Sequence, residues 1–145
     1  MQDRLKFRVW DKENKCLHYP TRYSNFTIVN GTVVKIESYP IANSAYLGKR
    51  ISWEFDYAVI MQCTGLKDKN GKLIYEGDVV NGTCGVYWGK MIVKFNENEA
   101  KFYMYRIDKR YTDLHFHGKN QEDNFELEVI GNIYENTELL EVEDE

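Results

Sequence analysis

His115-x-His117 is the spacing in this chain that comes nearest to a metal site. Side chains two apart on a strand share a face, so both imidazoles and Asp113 would point the same way, towards one zinc or nickel ion. Only one other histidine, His18, exists, and no Cys-x-x-Cys pair is present. The bland reading is two surface histidines flanking a core Phe116, and no metal ligand is expected. Asp78 with Glu99-Ala-Lys101 has the skeleton of a metal-dependent nuclease. Two carboxylates would hold Mg²⁺ and the lysine would steady the attacking water or the phosphate. That skeleton is short enough to arise by chance, and the helices that flank such nuclease sheets are missing from the pattern. No Gly-x-Ser-x-Gly, His-Glu-x-x-His, phosphate loop or dinucleotide fingerprint occurs. The expectation is a protein without catalytic residues and without a cofactor.

Two segments suit binding better than catalysis. Lys101-Phe-Tyr-Met-Tyr-Arg-Ile-Asp-Lys-Arg-Tyr111 interleaves four aromatic with four basic residues. Strand alternation puts Tyr103 and Tyr105 on one face and Phe102 and Met104 on the other. Tyrosines stacking on bases, beside Lys101, Arg106, Lys109 and Arg110, would suit single-stranded nucleic acid. The plainer reading makes one aromatic face core and the charges a soluble edge. The second segment is the acidic end, Glu135 to Glu145, where Leu139, Leu140 and Val142 sit among carboxylates. It would dock on a basic partner or on a second copy of this chain.

The elements that must position these residues are strands. Leu5, Phe7 and Val9 alternate with Lys6 and Arg8, which predicts a strand with three apolar side chains inward. Phe26 to Val29, Asn30-Gly31 and Val33 to Ser38 read as a hairpin, because Asn-Gly accepts the positive φ of a tight turn. Pro40 to Arg50 has no period and reads as loop. Further strands fall at 17–19, 52–55, 57–63, 73–75, 79–80, 85–88, 90–95, 101–107, 112–116 and 126–134. Turns are expected at Asn70-Gly71, Gly77, Asn81-Gly82 and Gly89, and a bulge or bend at Gly131. The one helix foreseen is short: Asn136 capping Thr137 to Val142, with Leu139 and Leu140 inward. This is an all-β or mainly β pattern, suited to a barrel or roll.

Composition fits. The 145 residues are 43% hydrophobic and 29% charged, as in a folded domain. A chain of this length reads as one compact β domain over 1–145, with 20–57 as a possible appended lobe. Tyr57 to Met61 is the longest strictly apolar run, so no membrane span is expected. The first residues lack an apolar signal core, and Cys16, Cys63 and Cys84 are an odd count, which together suggest an unexported chain with reduced thiols. Cys63 and Cys84 read as packing residues. The net charge of −4 hides a split, since Glu122 to Glu145 holds ten acidic residues and no basic ones. A tail folding back on the basic body accounts for such asymmetry as well as a partner does.

Three stretches are familiar: Phe7-Arg-Val-Trp-Asp-Lys12, Met61-Gln-Cys-Thr-Gly-Leu-Lys-Asp-Lys-Asn-Gly-Lys-Leu-Ile-Tyr-Glu-Gly-Asp-Val-Val80, and Glu128-Val-Ile-Gly-Asn-Ile-Tyr-Glu-Asn-Thr-Glu-Leu-Leu140. They resemble the YopX family of small phage and prophage proteins. The resemblance covers residues 4–19 and 58–140, with none in between. Cys63 and Thr137 depart from it, standing where an aromatic residue and a proline are expected. The resemblance implies an SH3-like core over 58–140, a location in the cytoplasm of a bacterial host, and no established activity. Small SH3-like barrels mostly bind, so it favours a binding module. The expectation is therefore a phage accessory protein that binds a host or phage protein, with single-stranded nucleic acid at 101–111 as the alternative. The nuclease comes third, and self-association through edge strands and tyrosines is compatible with either binding reading.

Overall fold

Short alternating segments separated by Asn, Asp and Gly turns leave this chain little choice but antiparallel strands. The computed structural model describes residues 6–22, 24–30, 32–55, 58–84, 87–108, 114–115 and 126–142. The chain is mainly β, and among the described residues its helical structure is the single 3₁₀ turn Thr137–Leu140. Its contacts divide into two compact units, residues 6–61 and residues 62–145 together with the first five.

In the first unit β1 (Phe7–Asp11) and β2 (Cys16–His18) form a hairpin, with Asp11 opposite Cys16 and Val9 opposite His18. Asp11 holds the turn, its Oδ1 accepting the amides of Glu13 and Asn14 at 3.0 Å each. Strands β3 (Ser24–Val29), β4 (Thr32–Pro40) and β5 (Leu47–Phe55) make an antiparallel meander. Val29 pairs with Thr32, and Asn30 has a φ of 50°, so β3 and β4 form the hairpin expected there. Strand β5 begins inside the stretch read as loop: Leu47 to Arg50 has no alternation of its own but pairs with Glu37 to Pro40. Val9, Val33 and Phe55 form the core, joined by Phe26, Ala58 and Ile60. Arg8 departs from its expected place on the polar face. It is 2% exposed, with Nη2 3.7 Å from the sulfur of Met61.

Strand β6 (Ala58–Lys67) carries the chain into the second unit, where it pairs with β7 (Leu73–Tyr75). Strands β8 (Asp78–Cys84), β9 (Tyr87–Asn96), β10 (Lys101–Arg106), β11 (Leu114–His115) and β12 (Glu126–Asn132) form one antiparallel sheet in the order β11-β10-β9-β8-β12. One face of it buries Val80, Cys84, Met91, Val93, Met104 and Leu127 with Ile74. The register slips between Val129 and Gly131, where the bulge was expected.

Two expected turns are instead strand. Asn81-Gly82 lies within β8 and Gly89 within β9, and the two glycines face each other. Gly82 has a φ of 149°, and a Cβ there would fall 1.9 Å from the Glu126 carbonyl oxygen. Glycine at 82 serves a close approach of β12, not a reversal. At the C-terminal end Asn136 makes no side-chain cap; its Oδ1 accepts the Asn132 amide at 3.2 Å, while Leu139 and Leu140 are half-buried.

Candidate functional site

The β9–β10 ladder decides which side chains can act together. Tyr103 pairs with Lys94, Tyr105 with Ile92 and Met104 with Val93. Lys101, Tyr103 and Tyr105 therefore share a face with Lys94, while Phe102, Met104 and Arg106 belong to the opposite face. Met104 is fully buried and Phe102 lies edge-on to Phe95 at 5.1 Å between ring centroids. The alternation read from the sequence holds, with Phe102 and Met104 as the core side.

The same register separates one of the cations expected beside the tyrosines, Arg106, from them. Arg106 stacks 3.7 Å above the Tyr87 ring and donates to Asp108 Oδ2 at 2.6 Å, with 13% of its side chain exposed. Burial opposes its charge, but the bonds to Asp108 and Tyr87 outweigh it and hold the guanidinium above its ordinary pKa. It acts as an internal cation and does not stand with Tyr103 and Tyr105. Lys101 pairs with Glu99, and Lys94 Nζ sits 4.4 Å from the Tyr105 ring centroid. Lys109 and Arg110 lie outside the described residues.

Beyond Lys94 on strand β9 is a residue that the sequence reading did not single out. Trp88 is 70% exposed. It borders a groove of about 460 Å³ lined also by Lys90, Ile107, Ile130, Glu141 and Val142. Ile130 and Val142 are themselves exposed apolar side chains. Of the three tail residues expected to bind a partner, Val142 alone lines this groove. Leu139 packs inward, its Cδ1 2.8 Å from where a Cβ on Gly131 would stand. The groove offers an indole and three aliphatic side chains beside one lysine and two carboxylates, Asp108 and Glu141. This mixture suits an extended protein segment better than a small charged substrate. The signal for it was a large aromatic on the polar side of an alternating strand.

The other expected constellations fare differently. His115 lies on β11 opposite Tyr103, while Asp113 and His117 lie outside the described residues. Asp78 is buried and its Oδ2 accepts the Tyr75 amide at 2.8 Å, closing the Glu76-Gly77 turn. Lys101 pairs with Asn96, and Gly77 bonds to the Val93 carbonyl. Asp78 is thus two strands away and roughly 10 Å along the sheet from Lys101, and the nuclease skeleton is not assembled. In the first unit, Cys16 Sγ lies 3.3 Å and Asp11 Oδ2 3.6 Å from His18 Nε2. The side-chain amide of Asn14, followed by the backbone amides of Asn14 and Glu13, holds Asp11 below the ordinary carboxylate range against the effect of burial.

A family model described as YopX protein matches residues 6–141, and so runs through the 20–57 stretch in which the sequence reading found no resemblance. Among solved structures the chain is similar to protein EF1440 from Enterococcus faecalis, at 28% identity and a TM-score of 0.61, over 94% of this chain and 97% of that one. It is also similar to protein yopX from Bacillus subtilis, at 25% identity and a TM-score of 0.56, over 95% of this chain and 99% of the other. No curated protein matches.

Proposed function

The chain belongs to the YopX protein family, and from that premise we propose that it is a phage or prophage accessory protein that works by binding a protein partner in the cytoplasm of a bacterial host. The observation that carries this reading is Trp88, 70% exposed beside Ile130 and Val142. Tryptophan is the residue type on which protein interfaces concentrate their affinity, and leaving one in water gains the free chain nothing. The partner class follows from charge as well. The chain is net negative, and Arg106 and Lys101, two cations of the aromatic-basic segment, are engaged by Asp108 and Glu99. Phosphate binding needs cations free to release counterions.

Three cysteines without a disulfide agree with a reducing compartment, and among the described residues no helix is long and apolar enough to cross a membrane. One observation favours a second reading: Lys94, Tyr103 and Tyr105 share one sheet face, the arrangement on which unpaired bases stack.

The deciding experiment is capture of partners from host lysate with the tagged chain, with and without nuclease, followed by reconstitution from purified components. A protein retained after nuclease, and bound by the wild type but not by Trp88→Ala, is the expected result. Recovery that collapses with nuclease and brings DNA or RNA with it would transfer the function to the Lys94, Tyr103 and Tyr105 patch. Binding of the purified partner that is untouched by Trp88→Ala would overturn the groove.

A further inference from the structure

We propose that Asp11, Cys16 and His18 form a binding site for a divalent transition-metal ion of the zinc class on the β1–β2 hairpin. Hairpin register brings them together. Asp11 stands directly opposite Cys16, and His18 is two residues beyond Cys16, so all three side chains belong to one face. Among the described residues this is the one group of three metal-ligating side chains that converges, with one donor atom from each lying within 4.8 Å of the others.

The two separations from His18 match what an ion would impose. Zinc held at about 2.0 to 2.3 Å by nitrogen, oxygen and sulfur in a tetrahedron keeps its donors roughly 3.3 to 3.6 Å apart. Here Cys16 Sγ to His18 Nε2 is 3.3 Å and His18 Nε2 to Asp11 Oδ2 is 3.6 Å. A single ring nitrogen, Nε2, faces both the thiol and the carboxylate. That geometry is wrong for a nucleophile–base–acid relay, which needs the two ring nitrogens to face different partners. It is right for three donors around one centre.

The carboxylate is also held in place beforehand. Asp11 Oδ1 accepts the amides of Glu13 and Asn14, and Oδ2 accepts Asn14 Nδ2 at 2.8 Å. A carboxylate has about four acceptor positions, and the remaining one on Oδ2 is left for the His18 side. The His18 ring is fixed edge-on against Phe55 at 4.9 Å between centroids. Such outer contacts orient ligands and contribute to affinity in metal sites. Cys16 and His18 are part-exposed, so an ion has access, whereas Cys63 and Cys84 are buried and do not compete. A thiolate and a carboxylate together neutralise a divalent ion. Three protein donors leave a fourth position for water, and His18 lines a cleft of about 450 Å³ with Lys35, Glu37, Arg50, Ile51 and Ser52.

Cobalt(II) added to the purified, reduced full-length chain is the probe. Thiolate ligation gives a near-ultraviolet charge-transfer band, and zinc should displace the cobalt and erase it. The expected result is one ion per chain, with no band in Cys16→Ser and an affinity lowered about tenfold or more in His18→Gln. His115→Ala/His117→Ala should bind as the wild type does. Zinc should also raise the unfolding temperature of the wild type and leave that of Cys16→Ser unchanged, which separates ligation from misfolding. Failure to take up either ion, a band that survives Cys16→Ser, or affinity that follows His115 and His117 instead of His18 would overturn the site.

Discussion

The carboxylate of Asp68 accepts a hydrogen bond from the backbone amide of Val129 at 2.9 Å, across 61 positions of sequence. Its other oxygen accepts the amides of Asn70 and Lys72 at 2.9 Å each. The Lys69 amide bonds to the Leu127 carbonyl beside it, and Lys69 Nζ pairs with Glu128 at 3.0 Å. One 8% exposed side chain thus builds the turn after β6 and fixes the bulged strand β12 to it.

Removing that carboxylate strands three amides. Asp68→Ala should cost about 2 to 4 kcal/mol, since each bond to a charged acceptor contributes about 1.5 to 3 kcal/mol and the amides near the surface regain water. Asp68→Asn, which keeps one oxygen, should lose less. Urea unfolding of the three proteins measures both; equal stability would mean that β12 is held by its ladder alone.

The same bonds set a pH dependence. Burial pushes the Asp68 carboxyl up, but the amides of Val129, Lys72 and Asn70, aided by the Lys72 charge, pull it further down, to below the ordinary carboxylate range. A folded pKa below the unfolded one stabilises the fold above the unfolded value, and that contribution is lost as pH falls through the folded one. The stability gap between wild type and Asp68→Asn should therefore be full above about pH 5 and shrink below about pH 4. Asp11, shifted in the same direction, is common to both proteins and cancels in the difference. A gap constant from pH 7 to pH 3 would contradict the assignment.

Gly82 is the position where β8 admits no side chain. With a φ of 149° and the Glu126 carbonyl oxygen 1.9 Å from where a Cβ would stand, Gly82→Ala must part β8 from β12 locally. The expected loss is about 2 kcal/mol or more, with faster amide exchange at Thr83 and Leu127. Gly71, also at positive φ, meets nothing within 4 Å, so Gly71→Ala should cost only about 1 kcal/mol from its backbone angle. The two variants together separate crowding from conformational strain.

What the sequence made legible was local. Met91, Val93 and Leu127 announce their buried faces by alternation alone, and Asn30 takes the positive φ that its Asn-Gly pair advertises. The dipeptide at Asn81-Gly82 sends the same signal for a different reason, because glycine answers a close strand as readily as a reversal. Leu47 to Arg50 became strand through partners earlier in the chain, Glu37 to Pro40, which no pattern within it shows. Arg106 could have been assigned to the Phe102–Met104 face from alternation, but its stacking on Tyr87 required the β9–β10 register. The Trp88 groove draws on β9, β12 and the end of the chain, and the Asp11–Cys16–His18 cluster on hairpin pairing. Both were invisible to motif spacing.

The groove makes a prediction in which stability and binding part company. Trp88 is mostly in water, so Trp88→Ala removes little buried surface and should shift unfolding by no more than about 0.5 kcal/mol. In a complex the same indole would be covered, and losing an anchor of that kind costs about 2 kcal/mol or more, a factor of roughly 30 in affinity. Tyr103→Ala and Tyr105→Ala, on the same sheet face but outside the residues that line the groove, should leave the binding of the protein partner unchanged. Val142→Asp, which puts a charge against Trp88 and Ile130 where an apolar segment would lie, should weaken binding without unfolding the chain. Titration of the purified partner against these four variants, with thermal melts in parallel, measures every arm. A Trp88→Ala protein that melts well below the wild type would make the indole a structural residue. Full affinity in both Trp88→Ala and Val142→Asp would move the binding surface elsewhere.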